Sequence, residues 1–295
     1  MKLSHMVEIG KMEVIREGEF TSLGFITHGY PVQLAYAESE EYMHNLEMAP
    51  NITCLITAPE LRPLASENRG LAVSGNPRRS FYNIHNHLAR NTEFYGKHFE
   101  NQIAETASIH PKAFIAERDV CIGEKCVIEP NVTVLENSVL KNEVVIRAGS
   151  VIGGEGFAYN RIDGEIMPVC HAGGVLLHDR VEIQCNTVID RAVFGGYTEI
   201  LEDTRIDNLV HVAHNVRIGR RCLVVALVML GGSVTIGDDV WIGPSAAIRP
   251  EVRIGSGAWI SMGSVVTNDV GPGQKVSGHF AIDHDKFIQF MRKIR

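Results

Sequence analysis

A period of six residues dominates the second half of this sequence and limits the folds that the chain can adopt. From residue 200 onward every sixth position is aliphatic, and the run passes through twelve positions without a change of register. Its members are Ile200, Ile206, Val212, Ile218, Val224, Leu230, Ile236, Ile242, Ile248, Ile254, Ile260 and Val266. A small or β-branched residue follows each of them four places later. An α-helix would scatter this period around its axis, so the pattern predicts short strands joined by regular corners.

Two shorter runs extend the pattern toward the amino terminus. One passes from Ile122 to Ile152, and the other passes from Leu177 to Ile189. Three hexads would make one triangular coil of 18 residues. Successive coils of this kind pair through backbone hydrogen bonds, with neighbouring strands about 4.8 Å apart. The predicted fold class is therefore mainly β, in the form of a parallel β-helix.

The limits of the repeat predict the domain organisation. We expect the β-helix to occupy residues 101–270, with a loop excursion at 153–176 and a second break at Gly195–Gly196. Residues 1–100 contain no hexads and mix helical and strand patterns, so they predict a small α/β domain. Residues 271–295 leave the repeat and predict a tail that ends in a short helix.

Composition and charge exclude several classes of function. The net charge is −7 and the pI is about 6.0, which is unfavourable for non-specific binding of nucleic acid. The sequence shows no signal-peptide pattern and no long uninterrupted apolar run, so we expect a cytoplasmic protein without a membrane span. The six cysteines contain no CxxC pair, which predicts reduced thiols and neither a zinc site nor disulfides. No required metal and no permanently bound cofactor are expected.

Four stretches carry a closer resemblance than the hexads alone. They are GGEGFAY (153–159), DRVEIQCNTVIDRA (179–192), IDNLVHVAHNVRIG (206–219) and LGGSVTIG (230–237). In their order and separation they resemble the UDP-3-O-(3-hydroxyacyl)glucosamine N-acyltransferases, the N-acylating enzymes of lipid A assembly. The resemblance implies a left-handed β-helix and transfer of an acyl group from a thioester to the amine of a nucleotide-linked sugar.

Other features of the sequence bear on the identity of the acceptor and the donor. The ending VTNDVGPGQKVSGHFA resembles the tail of acyl-CoA-dependent acetyltransferases, and the predicted last helix, with Phe287, Phe290 and Met291 on one face, is short. The sequence thus favours an N-acyltransferase of dTDP- or UDP-linked amino sugars that uses acyl-CoA, as in the related anthrose-type enzymes of dideoxy-sugar pathways. Three alternatives stay open: the lipid A enzyme itself with acyl carrier protein as donor, a hexapeptide O-acetyltransferase, and a non-catalytic solenoid scaffold.

The catalytic candidates centre on the AHN segment. His214 matches the general base of the family, and an imidazole accepts a proton readily near neutral pH. One 18-residue coil later lies Gly232, which should stack on His214 and offer its backbone N–H to the thioester oxyanion. A carboxylate should orient the base. Asp207 is preferred for this role over Asp190 and Glu182.

The binding candidates fall into two groups. The resemblance places a nucleotide base between Tyr36 and Tyr42, with Ser39 in place of the asparagine of the family. The substrate group comprises Tyr36, Ser39, Tyr42, Phe157, Tyr159, His211 and Asn215. The acyl-donor group comprises Trp241, Trp259, Arg249, Arg253 and Lys275. Rows of apolar residues 18 apart, such as Met229, Ala247 and Val265, predict a homotrimer.

Overall fold

The computed structural model describes residues 1–46, 49–278 and 284–293, apart from the side chains of Thr27, Asp285 and Phe287. Part of the predicted closing motif at 276–281 and the terminal Arg295 lie outside these residues. So does the Phe287 side chain, which was expected on one face of the last helix.

Most of the chain forms a solenoid with three flat faces, each of which is a parallel sheet. The first face has nine strands: Ser108–Ile109, Val127–Ile128, Val145–Ile146, Glu182–Ile183, Arg205–Ile206, Leu223–Val224, Trp241–Ile242, Trp259–Ile260 and Lys275–Val276. The second has eight: Phe114–Ile115, Thr133–Val134, Val151–Gly154, Val188–Asp190, His211–Val212, Met229–Leu230, Ala247–Ile248 and Val265–Val266. The third also has eight: Gln102–Ile103, Val120–Ile122, Ser138–Leu140, Gly174–Leu177, Tyr197–Ile200, Arg217–Ile218, Thr235–Ile236 and Arg253–Ile254.

The aliphatic hexad positions form the interior of the solenoid. Ile206 pairs with Val224 of the next coil, and Val224 pairs with Ile242, so each position meets its equivalent 18 residues later. These side chains are fully or almost fully buried and belong to one continuous core. The predicted mainly β solenoid is therefore confirmed, together with the α/β region before it and the short helix after it.

A left-handed backbone residue marks each regular corner. Positive φ recurs every sixth residue, as at Asp203, Leu209, Asn215, Arg221 and Leu227. Bulky residues such as leucine adopt this conformation at some energetic cost. The stacking of the coils therefore dictates the corner geometry even where the local residue does not favour it.

The amino-terminal region forms a five-stranded sheet with short helices. The strands lie in the order Glu13–Arg16, Gly70–Val73, Ile52–Thr57, Gln33–Ala37 and Ser22–Leu23. The α-helices are α1 (Val7–Gly10), α2 (Glu40–Leu46), α3 (Pro77–Asn91) and, at the other end of the chain, α4 (His284–Lys293). Three 3₁₀ segments span Leu3–Met6, Ile26–His28 and Pro59–Leu64. None of the helices in the described parts of the chain is long and apolar enough to cross a membrane.

Both interruptions of the hexad pattern fall at the same edge of the solenoid, between the second and third faces. We call this edge, which carries His214, the histidine corner. The first interruption is an antiparallel hairpin of strands Tyr159–Ile162 and Glu165–Pro168. The second is the turn at Gly195–Gly196, where both glycines have positive φ.

The hairpin is fastened to α3. The Arg79 guanidinium bonds to Asp163, Glu165 and the carbonyl of Ile162. Farther along α3, Asn86 donates from Nδ2 to the Pro168 carbonyl and accepts at Oδ1 from the backbone N–H of Cys170. The α/β region and the histidine corner are thus held together by polar contacts across the hairpin.

Aromatic side chains form the apolar part of the same junction. Phe194 of the solenoid contacts the rings of Phe25, Phe81 and His85, with centroids 5.2, 5.5 and 4.7 Å apart. His85 also bonds through Nε2 to the Cys170 carbonyl and through Nδ1 to the Tyr95 hydroxyl. The junction therefore buries an imidazole as well as apolar rings.

We predict that the fold loses stability steeply in weak acid. Burial lowers the pKa of His28, His85 and His171 to about 4 each, from an ordinary value of 6.5. Between these values the unfolded chain binds protons that the folded chain does not, so the free energy of unfolding falls as the pH falls from 6.5 toward 4. Three such groups correspond to a slope of at most about 4 kcal/mol per pH unit. Urea unfolding at a series of pH values measures the slope, and a constant stability across this window would contradict the prediction.

Candidate functional site

His214 lies half-buried at the histidine corner, with its ring orientation fixed by its neighbour. Its Nδ1 is 3.1 Å from Asn215 Oδ1, which also accepts from the backbone N–H of Val193 at 3.0 Å. Because Asn215 Oδ1 is an acceptor in both contacts, Nδ1 of His214 carries the proton and Nε2 is left free to accept one. Burial lowers the pKa of His214 below its ordinary value of 6.5, so the imidazole is neutral at pH 7.

Asn215 has three structural roles at this corner. It occupies a left-handed conformation with φ of 61°, its backbone N–H donates to Thr198 Oγ1, and its Nδ2 donates to the Tyr30 hydroxyl at 3.4 Å. Asn215, which the sequence analysis placed among the substrate-binding residues, thus makes its hydrogen bonds within the protein. Its side chain connects Tyr30 of the α/β region to His214 and orients that imidazole.

Gly232 stacks on His214, as the 18-residue spacing predicts. A Cβ added to this glycine would lie 2.6 Å from His214 Cε1 and 2.8 Å from Nε2, so only glycine leaves the imidazole in place. Arg220 and Asp238 occupy the position of Gly232 in other hexads. The backbone N–H of Arg220 donates to the Asp238 carboxylate, and the backbone N–H of Asp238 donates to the Ser256 hydroxyl. In the described part of the chain the Gly232 N–H has no assigned acceptor, so it is available to an oxygen of a ligand.

Asp207 does not lie beside His214, and in this respect the sequence prediction was wrong. Asp207 follows the strand Arg205–Ile206 of the first face and therefore belongs to the preceding corner. There its carboxylate accepts from the backbone N–H groups of Asn208 and Ala226. The buried carboxylate at the histidine corner belongs to Asp190, which the sequence offered only as an alternative.

Asp190 is almost completely buried, and both nearby imidazoles act on it electrostatically. Its Oδ2 lies 3.5 Å from Nε2 of His211, a side chain that is 47% exposed. Burial raises the pKa of Asp190 above its ordinary value of 3.8, while the charges of His211 and His214 oppose this rise. No hydrogen-bond donor is assigned to Asp190 Oδ2 within the described residues.

His171 is a further imidazole at this corner that the sequence analysis missed. Its ring meets His214 edge to face, with centroids 5.7 Å apart. Its Nε2 is buried, and a Cβ on Gly156 would come within 3.1 Å of it. His171 lies at the end of the hairpin, whose length could not be derived from the hexad pattern.

A small cavity of about 210 Å³ opens at His214. Phe157 and Tyr159 of the hairpin line it together with Asn215 and Ser233. Phe157 is 89% exposed and contacts only the Tyr159 ring among the described aromatic groups, at 4.8 Å. The structure thus places Phe157 and Tyr159 close to His214, the predicted base. Most of the apolar surface of Phe157 is exposed.

Tyr36 and Tyr42 line a separate cavity of about 230 Å³. Its other walls come from Phe25, Ile26, Glu38, Arg78 and, from the solenoid, Glu251. Ser39 is not part of this lining. Its hydroxyl caps helix α2 by accepting from the backbone N–H of Tyr42 at 3.4 Å.

The predicted donor-binding residues divide between two parts of the solenoid. Trp241 and Trp259 stack on the first face with centroids 5.0 Å apart, and Lys275 lies over the Trp259 ring. Arg249 and Arg253 are exposed near the histidine corner, one coil beyond Gly232. Of the five predicted donor-binding residues, therefore, only Arg249 and Arg253 lie near the histidine corner of the same chain.

No three histidine, cysteine, aspartate or glutamate side chains converge into a metal-binding arrangement within residues 1–46, 49–278 and 284–293. The six cysteines are unpaired thiols. The chemistry that the corner itself offers is proton transfer at His214 together with a backbone N–H at Gly232.

We predict that Asp190→Asn raises the thermal stability at pH 7. A carboxyl with a raised pKa is costly to ionise in the folded state, and this cost is absent below pH 3.8 and present above both pKa values. The melting temperature of the variant should exceed that of the wild type at pH 7, and the difference should shrink as the pH falls. Asp207→Asn is the matched control and should destabilise the fold by about 1 kcal/mol, because an amide nitrogen cannot cap a backbone N–H. Equal destabilisation by both changes would contradict this account.

Comparison with known proteins agrees with the solenoid fold. A family model described as Bacterial transferase hexapeptide (six repeats) matches residues 233–268. Two solved structures share the fold: the UDP-N-acetylglucosamine acyltransferases of Campylobacter jejuni (18% identity) and Francisella novicida (22% identity). Each covers 66% of this chain with a TM-score of 0.50, and the matches span 81% and 75% of those chains.

Curated relatives named UDP-3-O-acylglucosamine N-acyltransferase are more similar in sequence. The Wolinella succinogenes protein is 36% identical over 171 residues, which is 58% of this chain and 54% of the relative. The chain thus spans about half the length of that relative. The Helicobacter pylori protein is 32% identical over 270 residues, which cover 82% of this chain and 78% of the relative. The chain belongs to the UDP-3-O-acylglucosamine N-acyltransferase family.

Proposed function

We propose that this protein is an N-acyltransferase that moves an acyl group, of the 3-hydroxyacyl type, from a thioester to the amine of a nucleotide-linked amino sugar. The observation that carries the proposal is the pairing of His214 with Gly232. A neutral imidazole with a free Nε2 lies against the side of Gly232 where a Cβ would stand, and His214 lines a cavity of about 210 Å³. The backbone N–H of the same glycine has no assigned acceptor among the described residues.

The chemistry follows from this pairing. As the acceptor nitrogen attacks the thioester carbonyl, His214 Nε2 takes a proton from that nitrogen. The carbonyl oxygen gains negative charge and accepts a hydrogen bond from the Gly232 N–H. The C–S bond then breaks, the amide forms, and His214 returns the proton to the leaving thiolate. Asn215 holds Nδ1–H throughout, so the same tautomer is ready for the next cycle.

The acceptor is proposed to bind through its base in the cavity of Tyr36 and Tyr42. Two aromatic rings and a cavity of about 230 Å³ suit a stacked pyrimidine. Arg78 lines the same space and is paired with Glu38. The similarity to the Helicobacter pylori relative favours UDP-3-O-acylglucosamine, the lipid A precursor, over a dTDP-linked acceptor.

The donor is proposed to be acyl-CoA, whose phosphates would meet Arg249 and Arg253 beyond Gly232. A homotrimer is proposed because the outer residues of the second face expose apolar surface. Met229 is 42% exposed and Val265 is 69% exposed, and both lie in one column with Ala247. Such a column suits burial against a neighbouring subunit.

We predict that His214→Gln lowers kcat by about 10²–10⁴-fold, the usual contribution of a general base. The assay follows thiol release from 3-hydroxyacyl-CoA, and in parallel from the same acyl group on acyl carrier protein, with UDP- or dTDP-linked amino sugars as acceptors. Binding of the nucleotide sugar should change little. His178→Gln is the control, since it also removes a hydrogen-bonded imidazole, here one paired with Glu199 at another corner. Near-normal turnover of the His214 variant would reject the assignment of the base.

We also predict that Tyr36→Ala or Tyr42→Ala weakens binding of the nucleotide sugar by about 1–3 kcal/mol, the scale of one base–aromatic stack. Tyr42→Ala is the cleaner variant because that ring is 54% exposed, whereas Tyr36 packs against Phe81 and Tyr82. Tyr197→Ala serves as the control, because this ring is 49% exposed on the solenoid and does not line the cavity. Calorimetry that finds unchanged affinity for both UDP- and dTDP-sugars in the Tyr42 variant would exclude this cavity as the base site.

A further inference from the structure

N-acylation of a protonated amine must release one proton. An ammonium and a thioester give an amide, a thiol and one H⁺. An amine on a sugar ring, like an α-amino group with its pKa of about 7.7–8.0, is largely an ammonium at pH 7. Two protons therefore leave the nitrogen during the reaction. One ends on the sulfur of the leaving group, and the other must reach solvent before or during attack.

His214 is badly placed to deliver that second proton to water. Its ring is half-buried between His171, Asn215 and the Gly232 backbone. Its Nδ1 faces the amide oxygen of Asn215, which accepts a hydrogen bond but does not carry a proton onward. An exit is needed on another side of the ring.

A buried carboxylate and an exposed imidazole lie close to His214 along the chain and across the sheet. Ile189 pairs with Val212, so Asp190 comes beside Ala213, one residue before His214, and His211 lies three residues before it. Asp190 Oδ2 is 3.5 Å from His211 Nε2, and the Asp190 carboxylate is attracted by both His211 and His214. Asp190 is 4% exposed and has no assigned hydrogen-bond donor at Oδ2 in the described chain, whereas His211 is 47% exposed. The pair therefore runs from the interior of the corner to its surface.

We propose that Asp190 and His211 form a proton exit for the acyltransferase reaction, an inference that rests on the proposed function. His214 Nε2 first takes a proton from the acceptor ammonium and loses it, through a bridging water, to the Asp190 carboxylate. Asp190 passes it to His211 Nε2, and His211 releases it to water. His214, neutral again, then takes the second proton as the C–N bond forms and gives it to the thiolate. No oxidant or further reactant is required.

Few other groups around Asp190 and His211 could accept the proton. The neighbours of His211 in the sheet are Val188 and Met229, which do not titrate. Asp190 also approaches His171, whose pKa burial lowers to about 4, so that imidazole stays neutral and takes no proton at pH 7. The adjacent Arg191 is paired with Glu155 at 2.8 Å and contributes a fixed charge.

The test is the pH dependence of kcat/KM for the His211→Gln variant, from about pH 6.5 to about pH 9. Below the pKa of the acceptor ammonium the variant should fall at least about tenfold under the wild type, and above it the two should converge to within about twofold. Added imidazole should restore the variant at low pH, because His211 is exposed and a small base can enter its place. Asp190→Asn should show the same low-pH defect without rescue.

Controls separate this proposal from its premise. His178→Gln should leave the pH profile unchanged, since its imidazole pairs with Glu199 away from the histidine corner. A His211→Gln defect of equal size at every pH, without imidazole rescue, would make His211 a structural or sugar-binding residue and overturn the proton exit while leaving the acyltransferase intact. An unchanged profile would overturn it as well. A wild-type protein that acylates no amino-sugar nucleotide would overturn both the exit and the proposed function.

Discussion

The hydrogen-bonded register between successive coils is the constraint on which the rest of the molecule depends. Each strand pairs in parallel with its equivalent one coil later, so every coil must repeat the outline of the one before. This requirement buries the aliphatic hexad positions and forces a left-handed residue at each corner, even at Leu209 and Leu227. It also explains why Gly232 meets His214, since residues one coil apart have almost no freedom to avoid each other.

The candidate site arises where that regularity is broken. The hairpin and the Gly195–Gly196 turn both leave the histidine corner, and the α/β region packs into the space that they create. Imidazoles are buried there among apolar rings, which keeps them neutral at pH 7 but makes the junction sensitive to acid. The same burial that keeps the imidazoles of this corner neutral at pH 7 therefore limits the pH range in which the fold is stable.

Counting along the sequence was sufficient for features within the regular coils. It predicted the solenoid and the contact of Gly232 with His214, and the same 18-residue spacing accounts for the stacking of Trp241 on Trp259. The hexad period also contained the reason to exclude Asp207. A residue about one hexad before His214 must lie at the preceding corner of the same coil. Asp190 was harder to place. Val188 pairs with His211, 23 residues later, and the length added by the Gly195–Gly196 turn is not encoded in the hexad period.

The stacked coils also fix distances along the solenoid axis in multiples of one strand spacing. Glu251, in the wall of the Tyr36–Tyr42 cavity, lies two coils beyond Asn215, which corresponds to about 10 Å along the solenoid axis. This separation can change only in steps of one strand spacing, about 4.8 Å, because a coil is either present or absent. Gain or loss of one hexad triplet between these two residues would thus shift Glu251 by one strand spacing relative to the rings of Tyr36 and Tyr42, which belong to the α/β region.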